Sequence, residues 1–162
     1  MGSQQPIYGM RSGHLVMEYT EENIQALVAH YVEEILRIQP QRSYRLGGNC
    51  QSGRIIFEIA QQLQRQGKTV AILCLLEAFI PKPYFGEVAL FFGRESDRFN
   101  PYKAFAEPEL GYHKFYRGGF SINIVSGGHG QYFKEPHIQV FTKKLREILE
   151  QMPTNESRIL TE

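Results

Sequence analysis

The chain has no tryptophan, a single aspartate (Asp97) and only two cysteines, Cys50 and Cys74, in 162 residues. Two thiols make no disulfide framework, so a reduced, cytoplasmic setting is the expectation. Charge of one sign is lacking too. The formal net charge is +1, with no basic run and no interleaving of basic and aromatic residues, which argues against nucleic acid as the main partner. No apolar stretch approaches the length of a membrane span, and no charged-then-apolar leader opens the chain. A membrane partner is therefore not expected. No His, Cys, Asp or Glu cluster has metal-ligand spacing, so no metal is expected. Internal repeats and low-complexity linkers are absent as well. What remains is an ordinary globular composition, 42% hydrophobic with eleven Phe and nine Tyr, long enough for one substantial core.

The pattern alternates strand and helix. "QPIYGM" (Gln5–Met10) reads as a weak strand. Thr20 can cap a helix whose first turn carries Glu21 and Glu22, where acidic side chains favour the positive helix end. Ile24, Leu27, Val28, Tyr31, Val32 and Ile35 recur at helical spacing until Pro40. "SYRLGG" is a short strand, followed by a helix with Ile55, Ile56, Ile59, Ala60 and Leu63 on one side that stops at Gly67. "TVAILCLLEAF" and "EVALFFG" are continuous apolar runs, as in parallel strands buried on both faces. "FSINIVSGGH" is a strand running into glycines and a histidine. Glu135 and Pro136 open a last helix, with Ile138, Phe141, Leu145 and Ile148 or Leu149 inward. The expectation is a mostly parallel α/β sheet flanked by helices over residues 4–151, with a C-terminal tail at 152–162.

Three groups fall just past strand ends, where parallel-sheet enzymes place their chemistry. Cys50 follows "YRLGG", Glu77 ends "AILCLLE", and His129 follows "INIVSGG". Their order, nucleophile then acid then histidine, is the α/β-hydrolase order. A nucleophile on a strained strand-to-helix turn needs small neighbours, and Gly48, Ser52 and Gly53 supply them. The Gln51 N–H, at the helix start, is the candidate oxyanion donor. Asp97 in "FFGRESDRF" competes with Glu77 as the acid, against the plainer reading of a solvated turn beside Arg94 and Arg98. Cys74 lies inside an apolar strand and reads as a small buried hydrophobe. Glu58 reads as structural. His14, His30, His113 and His137 lack the strand-end, glycine-flanked setting of His129.

"YRLGGNCQSGRIIFEIAQQLQRQGKTVAILCLLEAF", with "SGGHGQYF" near the end, resembles the type I thioesterase domains of nonribosomal peptide and polyketide synthases. These have a G-x-S-x-G-G elbow, an E-I-A-x-x-L helix, a Q-G stop and a strand ending in an acid. The resemblance implies an α/β-hydrolase fold. It also implies a nucleophile that takes an acyl or peptidyl chain from the phosphopantetheine arm of a carrier protein, with no cofactor bound to the domain itself. Cys50 maps to the nucleophile, Glu77 to the acid, His129 to the base and Gln51 to the oxyanion donor.

The chain departs from that pattern in several places. Cys50 stands for serine, Glu77 for aspartate and Ser52 for glycine. "AFIPKPYFG" (Ala78–Gly86) is too short for the family's lid helices, so an open site and hydrolytic release are expected. The first strand is expected to match the family's fourth, leaving earlier strands and the loop with the second oxyanion donor absent and the chain a weak thioesterase. The elbow strand is then expected to be a sheet edge, covered either by Ile7–Met10 sliding beside Tyr44–Leu46 or by a second copy of the chain. Two other readings compete. One is a glutamine-amidotransferase-like cysteine enzyme, disfavoured because Gln131 and Gln139 stand where a glutamate two residues after a histidine is needed. The other is a non-catalytic hydrolase-fold binding or assembly module.

Overall fold

The structure is a computed structural model that describes residues 6–11 and 17–151. Helix α1 (Glu21–Ile38) begins where Thr20 Oγ1 accepts the Asn23 N–H at 3.2 Å, and Glu21 and Glu22 sit in its first turn. Strand β1 (Tyr44–Asn49) leads through a tight turn into α2 (Ser52–Arg65). Strands β2 (Val70–Leu76) and β3 (Val88–Gly93) follow. The segment between β3 and β4 contains a 3-10 turn at Pro101–Lys103 and a short helix α3 (Pro108–Tyr112). Strand β4 (Phe120–Val125) and helix α4 (His137–Gln151) complete the described residues.

The four strands form one sheet in the order β1-β2-β3-β4, every pair parallel. Alternation along β2 and β3 divides the apolar side chains between two faces. Leu73, Leu75, Val88, Leu90 and Phe92 pack with buried residues of α1 and α2. Ile72, Cys74, Leu76, Ala89 and Phe91 pack with Tyr132, Phe141 and Ile148 on the side of α4. Helix α2 buries Ile55, Ile56, Ile59 and Leu63 against this sheet, each side chain contributing roughly 1.5–3 kcal/mol relative to exposure. The α/β architecture is the one its apolar runs predict.

The register sets the site. Asn49 pairs with Leu76 and Leu76 with Phe91, so β1 and β2 finish level and β3 runs two residues further, to Gly93. The Cys50 N–H donates to Leu76 O at 2.8 Å and the Glu77 N–H to Phe91 O at 2.8 Å. Residues leaving these strands therefore emerge side by side.

Among the described residues strand β1 is an edge, and the expected cover by Ile7–Met10 is not there. Gln5 lies outside the described residues, and 6–11 form no strand. Ile7, Tyr8 and Met10 are exposed instead. The physical reasons are local: Pro6 has no N–H to give a ladder, and the Arg11 carbonyl is taken by the Tyr31 hydroxyl of α1 at 2.7 Å. The expected tail at 152–162 also lies outside the described residues. Between Glu77 and β3 there is no helix, only an isolated bridge from Tyr84 to Tyr116.

Candidate active site

The turn after β1 is built for close approach. Cys50 has φ of 51°, and Glu77, one strand over, has φ of 48°. These are the two non-glycine residues with positive φ among the described residues. Such backbone costs on the order of 1–3 kcal/mol each and concentrates at functional sites. A Cβ on Gly48 would lie 2.6 Å from Ile56 Cγ2 and 2.7 Å from Ser52 O, and one on Gly53 would lie 2.5 Å from Ala78 Cβ. The sharp turn lets α2 cross this tightly against β1. Ser52, where glycine is usual in the resembling pattern, is accommodated because its hydroxyl turns back onto the strand end. It donates to Asn49 O and accepts the Asn49 N–H, both at 2.7 Å. No side chain caps α2. The Gly53 and Arg54 N–H groups are used by Cys50 O and Gln51 O, while the Gln51 N–H has no acceptor among the described residues and stands at the positive helix end.

Glu77 is buried, and its Oε2 meets His129 Nδ1 in a short contact. Its other oxygen accepts the Gly93 N–H at 3.3 Å. The Glu77 side chain is 0% exposed and the His129 side chain 50% exposed, so the carboxylate anchors the inner edge of the imidazole and leaves the outer edge open. With Nδ1–H donated to Glu77, Nε2 is the free acceptor. The ring is stacked at 4.9 Å on Phe99, over which Arg98 sits at 5.3 Å. Asp97 is elsewhere: its side chain is 91% exposed and paired with Lys103, whose hydrogen bond and charge hold the carboxyl below its usual range. No hydrogen bond joins the Cys50 thiol to His129 among the described residues. Cys50 is partly exposed and Cys74 buried, and burial pushes the Cys74 thiol up to about 12.

Three residues at this site, Tyr132, its partner Asn49 and Phe99, escape a reading of the sequence. Tyr132 is 1% exposed, and its hydroxyl donates to Asn49 Oδ1 at 2.6 Å. Burial pushes its phenol up, with Glu77 and Cys50 adding to the shift. Phe99 carries no signal beyond being aromatic. Tyr132 follows His129 by three residues, and that closeness in "HGQYF" is the one available hint. Glu58 is structural, as its sequence implies: buried, it binds Lys82 and accepts from Gln25 at 3.3 Å, tying α2 to α1 and to the segment after Glu77. No group of His, Cys, Asp and Glu among the described residues is arranged to hold a metal. No helix among them is long and apolar enough to cross a membrane. Two surface grooves lie away from the Cys50–His129 end of the sheet, one beside Arg117 and Phe120, the other beside Arg42 and Lys68.

Several known proteins are similar to this chain in sequence or in fold. The polyketide synthase PksR of Bacillus subtilis (strain 168) is 33% identical over 86 residues, covering 52% of this chain and 3% of that protein. A dimodular nonribosomal peptide synthase of the same organism is 32% identical over 80 residues, covering 49% and 3%. The chain thus spans a small part of the curated relatives it matches. Among solved structures, the NocB thioesterase domain of the nocardicin cluster superimposes with a TM-score of 0.67 at 19% identity, covering 86% of this chain and 78% of that one. The surfactin thioesterase domain SrfTE superimposes at 0.65 with 12% identity, covering 85% and 78%. Both likenesses speak to the fold. Residues 10–89, which hold the elbow, its helix, the strand ending in Glu77 and the start of β3, match the thioesterase domain family, and the chain belongs to that family.

Proposed function

We propose that this chain is a thioesterase that releases an acyl or peptidyl chain from the phosphopantetheine thiol of a carrier protein, through a covalent intermediate on Cys50. The observation that carries this reading is the buried Glu77 carboxylate on His129 Nδ1, at the strand end beside a positive-φ Cys50. His129 Nε2 takes the proton of the Cys50 thiol. The thiolate attacks the thioester carbonyl, and the resulting oxyanion forms against the Gln51 N–H. Collapse breaks the bond to the pantetheine sulfur, which leaves with the proton held by His129. Water, deprotonated by the same imidazole, then attacks the acyl–Cys50 thioester and frees the acid. Apo geometry in such sites is often looser than in the substrate complex, so the missing thiol–imidazole hydrogen bond is compatible with this sequence.

The half-exposed His129 and the helix-free connection after Glu77 favour water over an internal nucleophile, so the product is the free acid. An acyl-N-acetylcysteamine thioester tests this directly. Turnover to free acid is expected, together with a mass increase of one acyl group on the peptide containing Cys50 and none on that containing Cys74. A folded protein that neither turns over the thioester nor gains mass at Cys50 would favour the second reading, a non-catalytic carrier-docking module. The unbonded thiol is the observation on that side.

The open β1 edge supports a further expectation. Arg45 and Gly47 are exposed along it, and unpaired strand edges recruit strands from other chains. The chain is expected to form a dimer or larger species in light scattering. A stable monomer at the concentrations used for assay would remove β1 pairing as a means of association.

A further inference from the structure

We propose that Tyr132 is a positioning residue for acyl transfer, its hydroxyl bond to Asn49 tying the His129 turn to the nucleophile elbow. The proposal rests on the thioesterase reading and concerns how that site is held together. Asn49 is the last residue of β1, directly before Cys50. Tyr132 lies in the 3-10 turn Gln131–Phe133, directly after the His129 loop. Their 2.6 Å bond spans 83 positions in sequence. The Ser52 hydroxyl already occupies the Asn49 backbone N–H and O, which leaves the Asn49 side chain for Tyr132.

The turn needs such a tie. Gly127 and Gly130 both have positive φ, and the His129 side chain is half exposed, so little packing fixes the imidazole. The remaining contacts do not reach β1. Glu77 holds Nδ1 from the end of β2. Phe99 stacks on the ring from the segment after β3, and Gln131 Oε1 accepts the Gly128 N–H at 2.7 Å within the turn itself. Among the described residues, Tyr132 to Asn49 is the one side-chain hydrogen bond that links this turn to the strand carrying Cys50. Because no bond joins the thiol to His129, their mutual geometry depends on how the two backbones are held.

The chemistry of the ring points the same way. Tyr132 packs at 5.7 Å on Phe141 and at 4.7 Å on Phe133, a setting that phenylalanine fills at no desolvation cost. A buried phenol is tolerated there only with a partner. Its neighbours Glu77 and Cys50 disfavour the phenolate along with burial, so the oxygen keeps its proton and serves as a donor.

The test measures steady-state hydrolysis of an acyl-N-acetylcysteamine thioester by the wild type, Tyr132→Phe, Asn49→Ala and the double variant, with thermal melting of each. Misplacing a catalytic group by about 1 Å costs on the order of 10²-fold; Tyr132→Phe is expected to lose about 10–10²-fold in kcat with KM unchanged. Asn49→Ala should match it, and the double variant should be no slower than either single, since both remove the same bond. Additive losses, or kcat of Tyr132→Phe within about twofold of wild type, would overturn the proposal. Should Tyr132→Phe fail to fold, Asn49→Ala alone decides on the same kcat criterion. An active wild type with unaffected variants overturns this inference alone, whereas an inactive wild type with no acyl–Cys50 overturns the thioesterase reading with it.

Discussion

Replacing His129 with alanine is expected to lower thioester turnover by about 10²–10⁴-fold, the usual worth of a positioned acid–base group. The loss is not total, because a small fraction of a cysteine thiol is already thiolate near neutral pH and is a strong nucleophile without help. Glu77→Gln is the sharper test of the acid. The amide keeps the size of the side chain, but it no longer carries the charge that stabilises the imidazolium, and its NH₂ can turn toward Nδ1 and select the wrong tautomer. The analogous change in a Ser-His-Asp triad costs about 10⁴ in kcat. Glu77 has no exposed side-chain surface and sits on Nδ1, so a loss of more than about 10²-fold is expected here. Asp97→Asn provides the contrast. Its carboxylate is in solvent against Lys103, and turnover should stay within about twofold of wild type. Steady-state kinetics of the three variants decide the matter. A large loss in Asp97→Asn with near-normal Glu77→Gln would reverse the assignment.

Legibility of the fold followed the strength of the periodic signal. β2 and β3 are continuous apolar runs because helices cover both faces, and α1 and α2 carry long helical stripes that bury Ile24, Val28, Val32, Ile55, Ile59 and Leu63. The 3-10 turn at Pro101–Lys103 and helix α3 were illegible, being too short to show a period; each starts on a proline. Gln5–Met10 misled because a few apolar residues around a glycine satisfy a strand pattern without any partner to pair with. At the site, Cys50, Glu77 and His129 are readable from strand ends and glycines, since the backbone that positions them demands small residues nearby. Tyr132, Asn49 and Phe99 are not readable, because their roles arise from a sheet register and a turn that bring distant segments together. A tyrosine three residues after a histidine says nothing about an asparagine at the end of β1 until the parallel sheet brings the carboxyl ends of β1 and β4 to the same end.

The adjacent glycines of the elbow strand should respond to substitution in opposite ways. Gly47 sits where a Cβ would meet Cys74 Cβ at 3.7 Å, an ordinary contact, so Gly47→Ala is expected to be nearly neutral in stability and turnover. Gly48 faces α2, where a Cβ would come within 2.6 Å of Ile56 Cγ2 and within 2.7–2.9 Å of the Ser52 backbone. Ile56 is a buried side chain with little room to retreat, and the Ser52 carbonyl cannot move without disturbing the first turn of α2. Overpacking of this kind typically costs about 1–3 kcal/mol, and Gly48→Val, with two further carbons, should reach or exceed the upper end. For a domain of this size that is a fall in Tm of roughly 6–12 °C. Activity should suffer beyond the lost stability. Relief of the clash must come from lifting α2 away from β1, and that motion carries the Gln51 N–H and the Cys50 turn with it. Calorimetry of Gly47→Ala and Gly48→Val, with thioester turnover measured well below both transitions, separates the two effects. Equal melting temperatures and equal turnover for the pair would show that the turn between β1 and α2 is not held as tightly as this geometry requires.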